Sequence, residues 1–159
     1  MRKVLVAIDD SPSAMKAVEY VAQQFAGIKD LEVGLVYVLP NLPAIFWDEG
    51  HILSEEEKKE RRKVVDTWLG GRKAMMEPVF QKSVRVLVEK GMQAAQIKTK
   101  FISDSTDAAE SLLEEAKDFG YQTIVLGRRN NSEGKLFLMG TVANKIVMQG
   151  SRVAVTIVE

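Results

Sequence analysis

The chain has 159 residues in which 22 lysines and arginines balance 22 aspartates and glutamates, so the formal charge is zero and no polybasic nucleic-acid surface is expected. The absence of cysteine and the single histidine, His51, exclude disulfides, thiolate metal sites, cysteine nucleophiles and a histidine-rich metal cluster. Hydrophobic residues make up 46% and charged ones 28%, an ordinary globular composition that suits one domain over residues 1–159. No segment reaches the ~20 uninterrupted apolar residues of a membrane span, and Met1-Arg2-Lys3 leads straight into an apolar run, so a cytoplasmic protein without membrane contact is expected.

Lys3 to Ile8 is a short, almost wholly apolar run ending at Asp9-Asp10, the pattern of a central strand buried on both faces of a parallel sheet. Ser11-Pro12 supplies an N-cap and a first-turn proline. Met15, Val18, Val21, Ala22 and Phe25 then recur at helical spacing until Gly27. Leu31 to Val38 reads as a second strand, weakened at Gly34 and stopped at Leu39-Pro40. Asn41 to Ile52 reads as a loop holding Phe46, Trp47 and a solvated His51; its two aromatics suit either a lid or packing onto the next helix. Ser54-Glu55-Glu56-Glu57 has the form of a capping box opening a long helical region, and every residue from Glu55 to Lys63 is charged, as on a solvated surface. Gly70-Gly71 and Pro78 interrupt the helical pattern. Ser83 to Val88 fits an alternating strand or a helix burying Phe80, Val84, Leu87 and Val88; helix up to Gly91 is favoured. Trp68, Met75 and Met76 suit core filling or a dimer face.

A third strand follows from Ile97 to Ser103. Asp107 and Glu110 then open a helix with an apolar face of Ala109, Leu112, Leu113, Ala116 and Phe119, closed by Gly120. Thr123 to Leu126 is a fourth strand, Gly127 to Gly134 a polar loop, Thr141 to Gln149 a last helix, and Arg152 to Val158 a fifth strand. Short apolar strands alternating with helices predict a doubly wound α/β sandwich around a five-stranded parallel sheet, Rossmann-like in plan.

Ligands of such sheets bind beyond the carboxyl ends of the strands where the strand order reverses, which singles out Asp9-Asp10 and the segment from Gly127 to Thr141. Gly127 and Gly140 would let backbone approach a ligand, Thr141 would add a hydroxyl, and the first amides of the last helix would favour an anion. Arg128 and Arg129 would add charge. A plainer reading stands beside this one, in which Gly127 ends a strand and Gly140-Thr141 caps a helix.

Gly127-Arg128-Arg129-Asn130, nine further residues and then Gly140-Thr141 resemble the universal stress protein signature G-x2-G-x9-G-[ST], with asparagine at the second glycine. Val4 to Ser11 resembles that family's first strand with its terminal aspartate. Leu35-Val36-Tyr37-Val38 resembles its second strand, and Gly120 to Gly127 the stretch entering the signature. The resemblance spans nearly the whole chain. It implies a Rossmann-like fold of the adenine nucleotide alpha hydrolase type and a dimeric cytoplasmic protein of stress tolerance, some relatives binding ATP and others not.

Carried over from the ATP-binding relatives, Asp9 lies at the nucleotide and Val38 by the adenine, with Ala7 and Ile8 beside them. By the same resemblance Gly127, Gly140, Thr141 and Val142 carry over as the phosphate and ribose cradle, and Leu126 and Arg129 occupy positions that often contact nucleotide in the family. If that position requires a left-handed backbone, Asn130, at the second signature glycine, is the best non-glycine residue for it, but its side chain would compete for space that a phosphate needs. The resulting expectation is an adenine-nucleotide-responsive binding module taking ATP with Mg²⁺, in which the nucleotide alters the order of Gly127 to Met139. The alternative is a non-nucleotide stress-associated dimer in which Asn130, Leu136, Phe137 and Leu138 fill the phosphate site.

No nucleophile or general-base arrangement and no P-loop spacing occur, so slow ATP hydrolysis is the most that enzymology offers. A response-regulator receiver resembles the opening Ile8-Asp9-Asp10-Ser11. It would require a phosphoacceptor aspartate closing the third strand, for which Asp104 lies too far along, and a lysine closing the fifth, which Val153 to Val158 lacks. The final strand is expected at a sheet edge, where pairing with its copy gives a two-fold homodimer, as the resemblance also implies.

Overall fold

The computed structural model describes residues 1–39, 53–129, 140–149 and 152–159. Five parallel strands, β1 (Arg2–Ala7), β2 (Leu31–Val38), β3 (Ile97–Ile102), β4 (Thr123–Gly127) and β5 (Ala154–Val158), form a sheet in the order β3-β2-β1-β4-β5. The helices α1 (Pro12–Phe25), α2 (Glu55–Glu89), α3 (Ala108–Phe119) and α4 (Thr141–Gln149) alternate with them. This is the doubly wound α/β sandwich expected from the strand and helix periodicities. Its chain moves outward from β1 to β2 and β3, then crosses back to β4 and β5, so the order reverses between β1 and β4.

Alternation along the strands divides the core in two. Val4 and Val6 of β1, with Val33, Leu35 and Tyr37 of β2, face α1 and α2, while Leu5, Val36, Ile124 and Leu126 face α3 and α4. Both faces of β1 are therefore buried, and Leu5 and Val6 have no exposed surface. Gly34 is explained by a neighbour on one face: a Cβ there would overlap the Tyr121 phenol, which lies across the strand.

The helix starts follow their caps. Ser11 Oγ accepts from the Ala14 amide at 3.1 Å with Pro12 in the first turn, and Asp107 Oδ1 accepts from the Glu110 amide at 3.0 Å. At Ser54 the capping box is complete, its hydroxyl accepting from Glu57 N at 3.2 Å and the Glu57 carboxylate from Ser54 N at 3.3 Å.

The interruptions expected at Gly70-Gly71 and Pro78 do not occur: α2 is one helix of 35 residues. Pro78 removes a backbone donor and Gly70-Gly71 lower helix propensity. Tertiary burial of Met76, Phe80, Ser83 and Leu87 along the second half outweighs both losses. That packing also decides Ser83 to Val88 as helix, but Val88 is exposed rather than buried. The helix closes in a Schellman turn, with Gly91 at φ +108°, its amide bonded to Val88 O at 2.9 Å and Met92 N to Leu87 O at 3.1 Å. Phe119, expected on the buried face of α3, is also exposed; its ring lies 4.2 Å from Lys100 Nζ, which in turn pairs with Glu115 at 2.6 Å. Among the described residues no helix is long and apolar enough to cross a membrane.

Candidate functional site

Where β1 ends, Asp9 turns the chain into α1: its Oδ1 accepts from the Ser11 amide at 2.8 Å. Where β4 ends, Gly127 passes so close to the start of α1 that a Cβ would lie 2.6 Å from the Ser13 carbonyl carbon. Ser13 Oγ then accepts from the Arg129 amide at 3.2 Å. The Gly140 amide donates to Arg128 O at 2.6 Å, and Gly140 O accepts from Asn144 N at 2.9 Å, which fixes the entry into α4 beside the end of β4. These contacts hold the carboxyl ends of β1 and β4 and the first turns of α1 and α4 around one crevice at the strand-order reversal.

The crevice is a cavity of about 300 Å³, within the range of small-molecule sites. Its wall brings together Ala7, Ile8 and Asp9 from the end of β1 and Val38 from β2. Leu126, Gly127 and Arg129 enter from the β4 side, and Gly140 and Val142 from the start of α4. Of the residues expected at a site, Thr141 is exposed and does not line the cavity, and Asn130 lies outside the described residues, as do His51, Phe46, Trp47 and the segment 130–139.

Other wall residues were not among those expected at a site. Ala108 and Leu112 come from α3, and Tyr37 and Arg72 from β2 and α2. Tyr37 sits between Val36 and Val38 but points to the opposite face, and Arg72 is one cation in a helix full of charges. Only the alternation of β2 hints at the first, and nothing in the sequence hints at the second. Arg72 Nη2 donates to the Tyr37 hydroxyl at 3.4 Å, and its guanidinium carbon lies 5.9 Å from the centre of the Trp68 ring.

The electrostatics are mixed, with Arg72, Arg128 and Arg129 on the wall opposed by Asp9 and Asp10. Burial pushes the Tyr37 phenol above its ordinary value; the Arg72 hydrogen bond and charge pull it back, while Asp10 and Asp9 push it further up. Tyr37 is therefore a neutral hydroxyl at physiological pH. Arg128 is not simply available to a ligand anion, because its guanidinium pairs with Glu159. Outside the cavity wall, Asp107 at the start of α3 pairs with Lys145 of α4, and the Lys145 hydrogen bond, with that from the Glu110 amide, holds the Asp107 carboxyl below the usual carboxylate range.

The sequence matches the universal stress protein family over residues 1–159. The chain belongs to the universal stress protein family. A curated relative, universal stress protein YxiE of Bacillus subtilis, is 32% identical over 153 residues, covering 91% of this chain and 90% of its own. Among solved structures, hypothetical protein MJ0577 superposes with a TM-score of 0.76 at 20% identity, over 99% of this chain and 94% of its own. A universal stress protein solved in complex with cAMP superposes at 0.65 with 16% identity, over 99% and 96%. One from Archaeoglobus fulgidus in complex with dAMP superposes at 0.58 with 16% identity, over 100% and 98%. Some structural relatives thus bind adenine nucleotides on this family's fold.

Proposed function

We propose that this universal stress protein binds an adenine nucleotide, ATP with Mg²⁺ foremost, in the cavity at the β1/β4 reversal and acts as a cytoplasmic, dimeric, nucleotide-responsive module in stress tolerance. The observation that carries this reading is the convergence on one cavity of the strand-end Asp9, Val38 of β2, and the backbone of Gly127 and Gly140. The cAMP and dAMP complexes of relatives support it.

The wall suits the parts of a nucleotide. Val38, Leu112, Leu126 and Ala143 offer apolar surface to base and ribose, while the start of α4 and Arg129 offer amide dipoles and charge to phosphate. The described residues contain no group of three or more His, Cys, Asp or Glu side chains that would hold a metal. Magnesium would therefore enter on phosphate oxygens and keep much of its water, with Asp9 and Asp10 as the nearest carboxylates on the wall.

Calorimetric titration of ATP and Mg²⁺ into nucleotide-stripped protein tests the reading, with Gly140→Trp as a blocked-site control. Saturable micromolar binding that disappears in the variant is expected. Absence of heat at several temperatures, with no thermal stabilisation by millimolar ATP, overturns it in favour of a non-nucleotide dimer.

A further inference from the structure

The family signature draws the nucleotide from β1, β2, β4 and α4, yet the cavity has a wall residue from α2. Arg72 is held on two sides, by Trp68 and by the Tyr37 hydroxyl, and its Nε is buried with no hydrogen-bond partner among the described residues. A buried donor without an acceptor is costly, and a cationic one more so. The missing acceptor is one that a ligand in the adjoining cavity can supply.

Position decides which part of the ligand does so. Arg72 meets β2 through Tyr37, whereas α4, whose N-terminus favours phosphate, starts beside the end of β4. Strands β2 and β4 flank β1 on opposite sides, so their ends are about 10 Å apart, two interstrand spacings. That separation is on the scale of a nucleoside. With phosphate at the β4 end, the base falls beside Val38, Tyr37 and Arg72.

We propose that Arg72 is a base-end contact of the nucleotide, its Nε–H donating to an acceptor on the base and so tying α2 to the occupied site. The proposal rests on the nucleotide reading above. Arg72 also lies where α2 passes from its solvated first turns to its packed second half, of which Met76 is the first fully buried residue. Ligand engagement at this point would restrain the helix where packing begins.

The test is calorimetry of adenosine, AMP and ATP with the wild-type chain, Arg72→Gln and Arg72→Lys, the last keeping the charge but losing Nε–H. Both variants are expected to weaken all three ligands by about the same factor, on the order of tenfold, as for a lost charge-assisted hydrogen bond. A penalty that grows from adenosine to ATP overturns the assignment, because it places Arg72 on phosphate. Full rescue by lysine overturns it too, because charge alone would then suffice. Wild-type affinity in Arg72→Gln overturns it while leaving the nucleotide site standing, whereas a wild-type chain that binds none of the three overturns both. A second measurement needs no variant: AMP is expected to slow hydrogen exchange in the wild-type helix between Trp68 and Met76, and unchanged exchange at saturation overturns the proposal.

Discussion

At the scale of single residues, Gly127 shows how a signature position can serve the fold as well as a ligand. Its φ is not in the left-handed region, so the need is for space: a Cβ would press on the Ser13 backbone at the start of α1. Gly127→Ala is expected to destabilise by about 1–3 kcal/mol, the usual cost of overpacking against a backbone that must shift. Chemical denaturation checks this, and an unchanged midpoint contradicts it. Asp107 makes the corresponding electrostatic case. Its native carboxyl lies below the ordinary value of 3.8, held there by Lys145 and the Glu110 amide. Asparagine can still cap α3, so Asp107→Asn removes mainly the charge. The charge-dependent stabilisation is present above the unfolded value and is lost as pH falls through the lower native value. The melting-temperature difference between wild type and Asp107→Asn should therefore be steady above about pH 5 and shrink below the ordinary carboxylate range. A difference unchanged down to pH 2 would contradict the pairing.

Among the elements, α2 carries the clearest conflict between local signal and packing. Pro78 is exposed in a helix whose buried residues lie on another face, so its cost is borne by the backbone alone. Pro78→Ala should raise stability by up to about 3 kcal/mol, since it restores a helical donor without touching the core. Thermal unfolding would show this, and a lower melting temperature would mean that the proline shapes the packing of α2 on α1. Elsewhere the elements were largely legible. Second-strand residues Leu31–Val38 and last-helix residues Thr141–Gln149 match the apolar run and the spacing that announced them. Apolar alternation and side-chain caps are local, so a sequence displays them. The orientation of Phe119 and Val88 was not legible, because each depends on where a neighbouring element stops covering its helix. The same limit applies to the site: Asp9, Gly127 and Gly140 sit at strand and helix ends, where pattern breaks are visible, whereas Arg72 reaches the cavity only through the tertiary placement of α2.

For the whole molecule, sheet order controls both the candidate site and the proposed assembly. Reversal between β1 and β4 opens the crevice, and the same order leaves β5 at an edge with Val155 and Ile157 partly exposed. An edge strand of this composition tends to be paired or covered. Light scattering at micromolar concentration should give the mass of a dimer for the wild type and of a monomer for Val155→Lys with Ile157→Lys; a wild-type monomer would contradict pairing through β5. The proposed function places nucleotide in the cavity where β1, β2 and β4 end. Titration of Mg²⁺-ATP into isotopically labelled protein, followed by amide NMR, addresses it residue by residue. Ala7, Asp9, Val38, Gly127 and Gly140 are expected to shift together and saturate with one affinity, while exposed residues of the first turns of α2 stay fixed. Shifts confined to other surfaces, or none at millimolar ATP, would contradict it.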